Sequence, residues 1–345
     1  MFAKRLNTVP EVRAQIQFNP TRSAPWSRTE DEICALQDSN RWAVILAGGD
    51  GARLMPLTRL LTGEDTPKQF CVLTGNETLL AQTQRRISSI VPRQRTLVVV
   101  TQAHERYYAK QPACVPDANL LVQPSNRGTA PAILYSLTCL HAMAPRGVVG
   151  FYPSDHQFNS DAQFANFADQ AYKYAQLHGD RVFLLGIPPD SPEAVYGWIE
   201  PGRALLSQGG CDAFEVRRFW EKPSGDKARD LMDGGGLWNT FIMIGRVTAF
   251  LDLIRSSLPN LLFSFNRVSD TMRPDDTSAP LAELYARIPA SNFSREVLVE
   301  CPANLAVLPA RGLQWTDLGV PERVMRTIGP NTGRKRTMVP LAYDE

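Results

Sequence analysis

This chain has no Cys-x-x-Cys pair, no histidine pair at metal-ligand spacing and no apolar run near eighteen residues. Cys34, Cys71, Cys114, Cys139, Cys211 and Cys301 stand singly, most of them inside apolar segments. That pattern excludes a disulfide scaffold and a zinc ribbon and points to reduced, buried thiols in a cytoplasmic protein. His104, His141, His156 and His178 are scattered, so a zinc site has no support. Without a long apolar run nothing is expected to span a membrane, and the first forty residues lack the apolar core of a secretory signal. Charge is balanced, with 37 basic against 35 acidic residues and a net charge of +2. No Lys/Arg stripe with interleaved aromatics appears, so a nucleic-acid partner is not expected.

The chain does have a substantial core, with 43% hydrophobic residues. From Arg41 onward short apolar runs, at 96–100, 118–122, 147–151 and 182–186, alternate with helix-length patterns at 78–90, 129–143 and 162–177. This alternation predicts an α/β fold whose sheet is mostly parallel and flanked by helices, with the ligand edge at the strand C-termini. After Tyr196 longer β segments follow, at 196–200, 213–220 and 237–244, as a mixed, partly antiparallel insert. Helices are expected at 247–257 and 280–287, and a late strand at 304–308. Residues 1–40 read as a loosely ordered extension that becomes helical around 28–37. Residues 41–330 read as one catalytic domain, and 331–345 as a tail.

One stretch carries most of the chemistry. Trp42-Ala43-Val44-Ile45-Leu46 reads as a buried strand and runs into Ala47-Gly48-Gly49-Asp50-Gly51-Ala52-Arg53-Leu54, with Pro67-Lys68-Gln69-Phe70 a short loop later. Glycines straight after a strand let the backbone turn sharply and present its N–H groups to a ligand. Arg53 and Lys68 add positive charge beside them. Backbone donors with two cations make a polyphosphate site. The dinucleotide fingerprint fails because its last glycine is Leu54, and no Gly-Lys-Ser/Thr triplet marks an ATPase loop.

With Arg53 to Arg59 and Pro67 to Phe70 added, the chain resembles the sugar-phosphate nucleotidyltransferases, most closely the mannose-1-phosphate guanylyltransferases. Further segments resemble that family in order: Gln123 to Ile133, Tyr152-Pro153-Ser154-Asp155-His156, Tyr196 to Glu200, Glu221-Lys222-Pro223, Trp238-Asn239, Leu305 to Pro309 and Trp315-Thr316-Asp317-Leu318-Gly319. Together they cover residues 42–324. The resemblance implies a Rossmann-like nucleotidyltransferase fold and the condensation of GTP with mannose 1-phosphate to GDP-mannose and pyrophosphate. It implies Gly48, Gly49, Gly51, Arg53, Lys68, Arg127 and Thr129 around the nucleotide. Gly197, Glu200, Glu221, Lys222 and Asn239 are implied around the sugar phosphate, and Asp155 and Asp317 on a magnesium or other divalent ion. Arg53, Lys68, Asp155, Lys222 and Asp317 would be the catalytic set.

Read as residues alone, each has a plainer alternative. Asp155 and Asp317 suit a helix N-cap or a turn, Lys68, Lys222 and Arg53 suit solvated positions, Glu200 a strand end and Asn239 a turn. His156 reads as a structural histidine. Chemically, a phosphate monoester has a second pKa near ~6 and needs no base to become a nucleophile. The absence of a nucleophile–base pair agrees with that. Three positions depart from the family. Ala52 stands where Thr is usual, Asn126-Arg127 inverts the usual order, and Thr240-Phe241 replaces Ser-Gly, which narrows the expected sugar pocket. The 28 residues after Asp317 leave no room for the isomerase domain of bifunctional relatives, so nucleotidyl transfer alone is expected. A catalytically silent nucleotide-sugar-binding paralogue, or a nucleotidyltransferase for another sugar, remains the alternative. A nucleotide-sugar-consuming glycosyltransferase fits less well, because it relies on an Asp-x-Asp triplet and lacks this glycine loop. The oligomeric state, a homo-oligomer included, is left open.

Overall fold

The central strands of the first half are buried on both faces, which is why they read in the sequence as unbroken apolar runs. The computed structural model describes residues 40–110, 116, 119–208, 211–269 and 278–328, all within one compact unit. In β1 (Arg41–Leu46), Val44 faces one core while Ala43 and Ile45 face the other. In β2 (Thr96–Thr101), Leu97 and Val99 join Val44, and Val98 and Val100 join Ile45. A strand's two-residue period delivers apolar side chains to two helix layers at once. One layer contains helices Thr129–Met143, Val247–Ser257, Pro259–Ser269 and Ser278–Arg287, and the other contains helices Asp161–Leu177 and Gly225–Asp233.

β3 (Leu120–Gln123), β2, β1 and β4 (Val148–Pro153) form a parallel block, with Leu46 opposite Val99 and Pro153. Beside it the order continues β9 (Leu237–Arg246), β6 (Val182–Ile187), β10 (Leu305–Pro309), β8 (Cys211–Glu221) and β7 (Gly197–Gln208). β9 runs antiparallel to both β4 and β6, and β10 is parallel to β6 but antiparallel to β8. β7 pairs back onto β9 at Trp198 opposite Trp238, so β9, β6, β10, β8 and β7 close a ring. The sheet is mixed, as the antiparallel insert implied, but it is not mostly parallel: among the described strands antiparallel pairings outnumber parallel ones. β9 has both faces buried and gives no alternation that would reveal its direction. A small antiparallel pair joins β5 (Gln157–Phe158) to β11 (Trp315–Thr316). That pair draws the Asp317 loop up to the end of β4.

Most expected elements between 78 and 257 are present with boundaries shifted by a few residues, but the strand expected at 196–200 runs on to Gln208, and the helix expected at 280–287 begins at Ser278. The readings for 1–39 and 331–345 lie outside the described residues. Among the described residues no helix is long and apolar enough to cross a membrane.

Candidate functional site

The C-terminal ends of β1 to β4 converge on a cavity of about 370 Å3. Gly48, Gly49, Gly51, Gly128, Thr129 and Asp155 line it, together with Gln69, Gln123, Asn126, His156, Phe241 and Asn292. The glycine loop is built as its sequence requires. A side chain at Gly48 would press to 2.7 Å from Gln123 Nε2, and Gly51 sits at φ 65°, where glycine alone is unstrained. Gln69, 2% exposed, donates from Nε2 to the carbonyls of Ala47 at 3.0 Å and Gly49 at 2.7 Å. The loop's carbonyls are thereby satisfied from behind. Asp50 ties the loop across the cavity, accepting from Asn126 Nδ2 at 2.8 Å and lying 3.3 Å from His104 Nε2. Arg53 stands exposed on the short turn Ala52–Leu54 and does not line the cavity.

Lys68 is the hub beside the cavity. Its Nζ lies 3.1 Å from Asp155 Oδ2 and donates to the Asp317 carbonyl at 2.8 Å, although Asp317 is 249 residues away in sequence. Asp155 is not the N-cap of the following helix; Ser160 Oγ takes that role, accepting from Gln163 N at 3.2 Å. Asp317 Oδ1 accepts from Arg323 Nη1 at 2.8 Å, Gly319 N at 2.9 Å and Tyr196 OH at 3.2 Å. Burial alone would raise the Asp317 carboxyl. His156, Lys68, Arg323 and the Gly319 N–H outweigh burial and hold it below the usual carboxylate range. His156 Nδ1 accepts from Trp315 Nε1 at 3.1 Å, leaving the Nε2 proton toward Asp155 Oδ1 at 3.6 Å. Burial lowers its pKa against the pull of Asp155 and Asp317. The imidazole stands beside both carboxylates.

Two partly accessible carboxylates held around one ammonium suit a divalent cation that also takes phosphate oxygens. Asp155 opens onto the cavity and Asp317 keeps Oδ2 outside its three donor contacts, so the donor set fits. No group of three or more His, Cys, Asp or Glu gathers for a metal among the described residues. Phosphate oxygens would have to complete the shell.

The sugar-phosphate set comes together only in part. A Cβ on Gly197 would lie 3.3 Å from both Asn239 Cβ and Glu221 Oε2, so these three meet. Lys222 Nζ is 3.7 Å from Glu221 Oε1, and burial raises the Glu221 pKa. Glu200 is elsewhere. Its carboxylate accepts from Arg217 Nη2 and Trp220 Nε1, both at 2.7 Å. Burial would raise its pKa, and those donors with Lys227 bring it below the usual range. Three residues along a regularly paired strand from Gly197, Glu200 falls on the opposite face of β7. Arg127 is also turned away: its Nε donates to the Tyr285 carbonyl at 2.9 Å, and the neighbouring Asn126 lines the cavity instead. Thr129 lines the cavity and accepts from Phe293 N at 2.8 Å.

Backbone strain marks the same region. Among the described residues Lys222, Phe241 and Leu318 are the non-glycine residues with positive φ, at 50°, 59° and 47°. One follows the Glu221 carboxylate, one lines the cavity and one offers its carbonyl to Lys68 at 3.4 Å. Such strain persists where the surroundings over-determine it. Phe241 keeps a glycine-like backbone while placing a ring in the cavity wall.

A family model described as nucleotidyl transferase matches residues 42–326. The chain belongs to the nucleotidyl transferase family. A mannose-1-phosphate guanylyltransferase of Escherichia coli K12 is 28% identical to it over 82% of this chain and 59% of its own length. One from Salmonella montevideo is 30% identical over 80% and 57%. The chain thus spans less than two thirds of these relatives. A crystal structure described as mannose-1-phosphate geranyltransferase, from Thermus thermophilus, superimposes at a TM-score of 0.68 with 29% identity, covering 81% of this chain and 76% of its own.

Arg323 and Tyr196, which bond to Asp317, and Gln69, which bonds to the glycine loop, were given no role in the sequence. Gln69 carried a signal, being a polar residue directly after Pro67-Lys68 that the loop carbonyls require. Arg323 carried none, since it lies in an amphipathic helix where a solvated arginine is ordinary.

Proposed function

We propose that this nucleotidyltransferase condenses GTP with mannose 1-phosphate, giving GDP-mannose and pyrophosphate. The observation that carries this reading is a cavity lined by the glycine loop and Asp155, with Lys68 beside it linking Asp155 to the Asp317 loop and with no nucleophile–base pair. The base and the sugar rest on the names of the relatives. A phosphate oxygen of the sugar 1-phosphate attacks the α-phosphorus, a new P–O bond forms, and the bond to the β-phosphate oxygen breaks.

No proton need be removed, so the chain's task is to hold two polyanions in line. Gly48, Gly49 and Gly51 direct backbone donors at the triphosphate, and Thr129 closes the nucleotide side. Lys68, and Arg53 from the exposed turn beside Gly51, supply charge to the β- and γ-phosphates. Lys222 meets the sugar phosphate as a compact ammonium suited to a dianion. Gly197 lets the sugar approach the backbone, and Glu221 and Asn239 bind its hydroxyls. Asp155 and Asp317 would hold a magnesium ion, which when bound neutralises charge at the transferring phosphate. Arg323 and Tyr196 keep Asp317 in place.

The test is a matrix of GTP, ATP, UTP and CTP against mannose and glucose 1-phosphates, scored by magnesium-dependent pyrophosphate release. GTP with mannose 1-phosphate is expected to be the best pair. A different triphosphate used about tenfold better would overturn the base, and silence of every pair would favour a binding paralogue.

A further inference from the structure

Behind the wall that holds Asp317 and His156 lies a second, larger cavity of about 650 Å3. Neither Gly197, Glu221, Lys222 nor Asn239 lines it, nor does any residue of the glycine loop. Its floor is aromatic: Tyr196 packs against Trp238 and Trp315 with ring centroids 5.1 and 4.9 Å apart, and the Arg323 guanidinium covers Tyr196 at 4.4 Å. Its rim is polar, with Asp190, Asn159, Gln314 and Arg326 exposed. Two lining residues carry an unanswered group. Trp238, 5% exposed, has an Nε1 donor and Gln157 an Oε1 acceptor, both buried without a partner. Unpaired buried polar atoms are costly, and each such case calls for a reason.

We propose that this cavity is a second small-molecule site, for a neutral carbohydrate, whose occupancy is felt by the catalytic cluster. Aromatic faces bind the apolar faces of sugar rings, and amides and carboxylates answer hydroxyls in both senses. The cations are balanced by Asp190 and by Glu193, which accepts from Arg323 Nη2 at 2.8 Å, so the cavity does not select for an anion. The coupling is structural. Three lining residues donate into the catalytic cluster: Tyr196 and Arg323 to Asp317, and Trp315 to His156 beside it. A ligand that shifts this layer shifts the Asp317 carboxylate, and with it the carbonyl that holds Lys68.

Binding is read by tryptophan fluorescence without triphosphate, so the result is independent of the proposed reaction. The probes are mannose and maltose. Both, or maltose alone, should give a saturable change. The double variant Asp190→Ala/Gln314→Ala should weaken it about tenfold with an unchanged melting temperature, and Asn239→Ala should leave it intact. The side-chain resonance that disappears in His156→Gln should move when the sugar binds to the native chain. No saturable change with either probe, or loss in Asn239→Ala with retention in the double variant, would overturn the site. A saturable change with a stationary His156 resonance would overturn the coupling.

Discussion

Lys68 and Lys222 have the same charge but different surroundings, and that separates their roles. Lys68 is 12% exposed and bonded into the Asp155–Asp317 cluster, whereas Lys222 is 45% exposed and faces Glu221. Lys222→Ala is expected to weaken mannose 1-phosphate binding and spare GTP, while Lys68→Ala lowers turnover and disturbs the nucleotide side. A charge-assisted hydrogen bond is worth roughly 1.5–3 kcal/mol, a loss of about ten- to a hundredfold. Separate titration of each substrate checks it, and equal losses on both from both variants would refute the division. Phe241 gives a stability test. Replacing it by glycine or alanine removes the same ring, but only glycine fits φ 59° without strain. In urea denaturation Phe241→Gly should therefore be more stable than Phe241→Ala by about 1 kcal/mol. The usual order, alanine above glycine, would show the backbone is not strained there. The presence of a phenylalanine among motif residues was legible in the sequence; its left-handed backbone was not, because no local pattern encodes it.

At the scale of elements, the site depends on how loops lock helix and strand ends. Gly128 precedes helix Thr129–Met143 at φ 86°, and a Cβ there would sit 2.3 Å from the Ser291 carbonyl. Ser291 in turn accepts from Ala130 N and donates to the Arg127 carbonyl, clamping the helix start to a loop far along the chain. Gly128→Ala meets both strain and collision, and should cost more than about 2 kcal/mol in urea denaturation; a loss below that would mean the clamp yields easily. The parallel block was readable because each of its strands is a short apolar run followed by a helix. The closed ring was not. Trp198 opposite Trp238 is a pairing between residues forty apart in sequence, and nothing local announces it. Asp155, Lys68 and the Asp317 loop do meet in the structure, although they stand far apart in the sequence. Glu200 lies on the other strand face because it is an odd number of residues from Gly197, and Arg127 turns to the Tyr285 carbonyl; motif order records neither.

For the whole molecule, burial couples stability to pH. His104 is 6% exposed, and burial, against the pull of Asp50, lowers its pKa below 6.5. The unfolded chain therefore takes up this proton more readily as pH falls below 6.5. Stability from this group is full above that value and is lost on acidification. The carboxylates Asp161 and Asp169 are held below their usual range, burial opposing and their arginine and lysine partners prevailing; their contribution fades lower still. Melting temperature should fall between pH 7 and 5, and His104→Asn should flatten that slope relative to its own value at pH 7. An unchanged slope would remove His104 from the account. The central claim is that the sugar phosphate attacks the α-phosphorus of GTP and displaces pyrophosphate. Its most direct test is the fate of label in parallel single-turnover reactions with mannose 1-phosphate and magnesium. Label at the α-phosphate should appear in the nucleotide sugar, and label at the γ-phosphate in pyrophosphate. Recovery of γ-label as inorganic phosphate or on the sugar, with α-label left in GDP, would contradict the account.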